Sequence, residues 1–156
     1  MTGKTHIMGG IAATTAYAYY SNYDPTALII SGAIGSIIPD ICHGGSKIGR
    51  RFPILSNIIN AIFGHRTITH SLIFLVLIGY ILTLITDNQS IIMGVVIGMA
   101  SHLILDACTK NGIKLLYPAS VTVRLPITTK TGGAVENIVL IALTIVTIYL
   151  GKEFIL

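Results

Sequence analysis

Five stretches of the chain are almost continuously apolar, and polar or Gly/Pro-bearing clusters separate them: 7–20, 26–38, 71–86, 91–108 and 135–150. None alternates with the period of two that marks a half-buried strand, and each is long enough for a helix. The pattern predicts an all-α protein. The first two stretches fall short of the ~20 residues that cross a bilayer straight. They fit a short re-entrant hairpin, with Gly9, Gly10, Gly32 and Gly35 allowing close helix contact. The last three are the better spanning candidates.

Composition turns this helical pattern into a membrane protein. Only 10% of the 156 residues are charged and 53% are hydrophobic, whereas a soluble domain carries about 25% charged residues. The expectation is a single membrane-embedded domain over residues 1–156, an integral bundle of about five apolar helices. A net charge of +4 raises the question of nucleic acid. The basic residues lack aromatic interleaving and any motif of that class, so no nucleic-acid partner is expected.

The basic residues instead orient the bundle. Lys4, Lys47, Arg50, Arg51, Arg66, Lys110, Lys114, Arg124 and Lys130 precede the first stretch or lie between the second and third or the fourth and fifth. The short turns 21–25 and 87–90 hold no Lys or Arg; Lys152 is the exception to the pattern. By the positive-inside rule the basic loops face the cytoplasm. Alternating helices then carry His6, Asp40, His43, His65, His70, His102, Asp106 and Glu136 to that one face, including all five histidines of the chain.

Imidazole and carboxylate together suit zinc and related divalent metals. Asp40 and His43 are spaced i, i+3 and His102 and Asp106 i, i+4, so on a continued helix each pair shares a face. Seven donors (His6, Asp40, His43, His65, His70, His102 and Asp106) exceed the four that one tetrahedral zinc takes, which points to two or more ions. Such a centre generates hydroxide near neutral pH and clamps the oxygens of a phosphoester. Cys42 is a further candidate ligand as thiolate. Arg66 is placed to steady an anionic transition state, or else anchors the chain at the membrane surface. Thr69 and Ser71 read as N-cap residues of the third stretch, and Glu136 as an electrostatic cap of the fifth.

The runs Pro39-Asp-Ile-Cys-His43, His65-Arg-Thr-Ile-Thr-His-Ser71 and His102-Leu-Ile-Leu-Asp-Ala-Cys-Thr109, with His6 upstream, resemble the YdjM-type family of bacterial inner-membrane, metal-dependent hydrolases. The resemblance extends from His6 to about Glu136. It departs from the family pattern at Cys42, where a second Asp is usual, and at Thr67, where Gly is usual. More remotely the family looks similar to zinc-dependent phospholipase C. The resemblance implies a multi-pass protein of the bacterial cytoplasmic membrane, hydrolytic and metal-dependent.

The combined expectation is a hydrolase at the cytoplasmic face, acting on a phosphoester or lipid-linked substrate through metal-activated water, with membrane lipids as its surroundings. Asp40 or Asp106 would take the proton and Arg66 would face the substrate anion. Two rival readings are a metal or ion transporter, with donors strung across the membrane, and a non-catalytic bundle glued by its polar residues.

Overall fold

The computed structural model describes residues 1–63, 67–126 and 128–154. Its helices are α1 (Gly3–Tyr19), α2 (Pro25–Gly35), α3 (Lys47–Arg51), α4 (Pro53–Phe63), α5 (Leu72–Ile85), α6 (Gln89–Ala107) and α7 (Ala134–Gly151). Short 3-10 turns at Ile38–Cys42 and Ile68–His70 prolong α2 and precede α5. The five apolar stretches become α1, α2, α5, α6 and α7. No strand occurs among the described residues; the 108–133 loop holds only isolated bridges, Thr109 with Thr129 and Ile113 with Val123.

Local signals start these helices. Asp24 caps α2, its carboxylate accepting from the backbone N–H of Thr26 and Ala27 at 3.1 Å each, with Pro25 in the first turn. Ser71 caps α5 through the N–H of Phe74, and Asn88 caps α6 through that of Ile91.

Helices α1, α2 and α6 form the centre of the bundle; α7 packs on α1, and α5 on α6. The central seam is made of glycine. A methyl group on Gly98 would overlap the Gly32 carbonyl, and one on Gly35 would overlap the backbone of Val95, so α2 and α6 touch backbone to backbone. Beside the seam the small polar residues Thr14, Thr15, Ser31 and Ser36 are buried together with the apolar Leu28, Val95 and Met99. Thr14 donates to the Gly10 carbonyl at 2.8 Å and Ser31 to that of Ala27 at 2.6 Å. Many large apolar side chains turn outward, among them Val76, Leu84, Ile138, Ile145 and Ile148 on α5 and α7. An exposed apolar coat around a tightly packed interior that holds buried polar groups suits lipid as the solvent.

Three segments are long and apolar enough to cross a membrane: Pro25–Cys42, Gln89–Ala107 and Ala134–Phe154. This revises the expected order of spanning candidates. The second stretch gains length from the 3-10 turn that continues α2, while α5 has only 14 residues, about 21 Å at 1.5 Å per residue. Two helices went unforeseen. Ser46 caps α3 through the Gly49 N–H, and α4 follows from Pro53. On α4 the apolar Ile54, Leu55, Ile58 and Ile62 are exposed while Ser56 is buried, so its apolar face points away from the protein.

Candidate metal centre

Four elements meet at the end of the bundle where α1 and α7 begin and α2 and α6 finish. Helix α6 supplies His102 and Asp106, one turn apart on its inner face and both buried. The first turns of α1 supply buried His6, the 3-10 turn after α2 supplies Asp40, and the turn before α5 supplies buried His70.

Their donor atoms converge. Nε2 of His6 lies 3.2 Å from Oδ1 of Asp106; Nε2 of His70 and of His102 lie 3.5 and 3.7 Å from its Oδ2. The latter two nitrogens are each 3.8 Å from Oδ1 of Asp40 and 3.2 Å from one another. The rings of His6 and His102 stack at 3.6 Å between centroids. The nitrogen of Met1 also hydrogen-bonds Asp106. Two sets of three donors, His6/Asp40/His102 and His70/His102/Asp106, each lie within 4.8 Å. They share His102.

Hydrogen bonds behind the rings fix which nitrogen faces inward. Nδ1 of His102 is 2.6 Å from the Ser36 carbonyl, an acceptor only, so Nδ1 carries the proton and Nε2 presents a lone pair. At His70, Nδ1 is 3.1 Å from the Thr69 hydroxyl, which itself donates to Cys42 Sγ at 3.1 Å. The hydroxyl proton being used, Thr69 accepts from His70 Nδ1–H, and Nε2 again turns its lone pair inward.

These residues fit a divalent cation. Two lone pairs facing each other at 3.2 Å repel unless a cation or a shared proton lies between them. Ligand nitrogens on a tetrahedral zinc, at ~2.05 Å from the metal, stand ~3.3 Å apart. Nδ1 of His6, although buried, has no hydrogen-bond partner among the described residues, and Nε2 has only its 3.2 Å approach to Asp106; buried ring nitrogens so weakly engaged call for a ligand. At His70 burial disfavours the imidazolium, but Asp106 and Cys42 outweigh it through hydrogen bonds and charge, holding the pKa above the ordinary histidine value. A metal held here would therefore compete with a proton.

Other residues singled out in the sequence take different places. His43 is exposed, its ring against Gly45, and belongs to neither donor set. Its i, i+3 relation to Asp40 presumed a continuing helix, whereas the turn stops at Cys42 and His43 is extended. Cys42 lies behind His70, its sulfur engaged by Thr69 and by the Pro39 carbonyl. Ser71 is the α5 cap; Thr69 is not, and orients His70 instead. Glu136 accepts from Gly132 N–H, Thr2 N–H and the Thr5 hydroxyl, each at 2.6 Å. It thus fastens the start of α1 to the start of α7. His65 and Arg66 lie outside the described residues. The Ser36 carbonyl was missed because a backbone acceptor has no signature in sequence.

The family described as YdjM inner membrane protein matches residues 1–155. The Bacillus subtilis (strain 168) protein YvsG is 56% identical over 149 residues, covering 96% of this chain and 93% of its own. Inner membrane protein YdjM of Escherichia coli (strain K12) is 29% identical over 164 residues, covering 96% and 83%. No solved structure matches. With a family match across the chain and helices able to cross a membrane, the protein belongs to the YdjM inner membrane protein family.

Proposed function

We propose that this protein is a metal-dependent hydrolase of the bacterial inner membrane, cleaving a phosphoester at the cytoplasmic face. The observation that carries the reading is the approach of the His70 and His102 Nε2 atoms to each other and to the carboxylates of Asp106 and Asp40. His6, Asp40, His70, His102 and Asp106 would hold the metal, with zinc the best match to their chemistry. When bound, a divalent cation supplies Lewis acidity and a source of hydroxide near neutral pH.

The chain's own residues divide the remaining work. Asp106 reaches His6 with one oxygen and His70 and His102 with the other, so it sets the spacing of the rings. Ser36 and Thr69 hold the tautomers. Asp40, the partly exposed carboxylate, is placed to receive a proton from a substrate-side group. The gathering of these donors at one end favours hydrolysis over transport, which requires polar groups along a path across the membrane.

The test uses purified full-length protein with a phosphodiester chromophore and a short-chain phospholipid. Hydrolysis that stops on chelation, returns with zinc and is absent from Asp106→Asn is expected. Hydrolysis indifferent to chelation, or absent while metal stays bound, overturns the reading. Orientation is checked with thiol reagents on Asn22→Cys and Lys130→Cys variants free of other thiols. Labelling from opposite sides, with Lys130→Cys reached from the cytoplasm, is expected; the same side for both contradicts it.

A further inference from the structure

Four of the five donors in the centre are sealed off: His6, His70, His102 and Asp106 are all buried. Asp40 alone keeps exposed side chain, 19%, and it opens into a cavity of about 600 Å³. That volume falls within the ~300–1,000 Å³ of small-molecule sites, and exceeds what a lone phosphate needs.

The lining of this cavity has two characters. Lys4 from α1 and Arg50 from α3 bring positive charge to it, and neither side chain has an ion-pair or hydrogen-bond partner among the described residues. Ile37 and Leu140 supply apolar wall, the latter from α7, a helix able to span the membrane. Two cations without carboxylate partners among the described residues, beside a centre suited to phosphoester chemistry, match a phosphate group: Arg through a planar fork, Lys as a point charge.

We infer that this cavity is the substrate pocket and takes the phosphate of an amphiphilic phosphoester, a phospholipid headgroup, which Lys4 and Arg50 hold against Asp40 and the metal centre. The α7 wall lets acyl chains stay in lipid while the headgroup enters. The inference rests on the hydrolytic reading of the centre and adds to it the substrate class and two recognition residues.

Binding to detergent-purified full-length protein is measured by calorimetry with three probes: dihexanoyl phosphatidic acid, dihexanoyl glycerol and inorganic phosphate. Each is titrated into wild type and into the Lys4→Gln/Arg50→Gln double variant. Phosphatidic acid is expected to bind at least tenfold tighter than either other probe, and the double variant to lose at least tenfold at unchanged metal content. Leu140→Trp, which narrows the cavity from α7 without altering charge, is expected to weaken it by a similar factor and serves if the double variant does not fold.

Equal binding by wild type and variants overturns the pocket. Inorganic phosphate binding as tightly as the lipid overturns the amphiphile and assigns the site to free phosphate. The two readings fail separately. Lost lipid binding in the variants of a protein that never holds metal would keep the pocket and remove the hydrolase; metal without any effect of the variants would do the reverse.

Discussion

The two ends of the α1–α2–α6 bundle are built on the same three helices and treat polar groups in opposite ways. At the end carrying the short turns, polar side chains are spent on backbone. Asp24 and Asn88 cap α2 and α6, and the Ser90 hydroxyl accepts from Asp24 N–H at 3.0 Å, tying the turns together. At the other end His6, His70, His102, Asp40 and Asp106 face one another, with backbone and hydroxyl groups behind them setting ring orientation. Turn-end polarity completes the fold. Buried ionisable groups aimed at each other add little to the fold, because desolvation offsets much of their mutual attraction; such a cluster suits a bound ligand.

Variants should separate the two ends, except at the seam they share. Gly98→Leu drives a side chain into the Gly32 carbonyl, and no flexible atom is there to yield. A loss of about 3 kcal/mol or more is expected, seen as failure to purify a monodisperse protein, with both ends lost together. Thr69→Val removes the acceptor behind His70 and leaves Cys42 without its donor. Metal affinity, measured by competition with a chelator, should fall about 10–100-fold with little change in melting temperature.

Acid should weaken the same end. His70 has a raised pKa in the metal-free protein, so the proton it must release to bind metal is held tightly. Metal affinity should therefore decline as pH falls, beginning above the ~6.5 of an ordinary histidine. In chelated protein the sign reverses: protonated His70 stabilises the fold below its unfolded pKa, and that contribution is lost as pH rises through the folded value. Melting temperature against pH, with and without chelator, checks both slopes. The smallest effect belongs to the turn end. Asp24→Ala should cost about 1 kcal/mol of stability and leave metal content unchanged.

Much of this contrast is legible in the sequence, and its gaps have physical causes. The apolar runs locate α1, α2, α5, α6 and α7 within a few residues, because each lacks strand alternation and ends at a cap or a turn residue. Helix α4 escapes because it is an 11-residue amphipathic segment inside what reads as a basic loop, with its apolar side outward. The pairing of His102 with Asp106 is legible because both lie on one continuous helix. That of Asp40 with His43 misleads because the 3-10 turn ends between them. The roles of Thr69 and Ser36 depend on how the turn before α5 and the end of α2 approach α6, which no spacing rule encodes.

The central claim is that the five donors hold a metal ion. Elemental analysis of protein purified without added chelator, beside His70→Ala and Asp106→Ala variants shown to be folded, tests it directly. Stoichiometric zinc or a related divalent metal in the wild type and little or none in the variants is predicted; equal metal in all three, or none in folded wild type supplied with zinc, would contradict it.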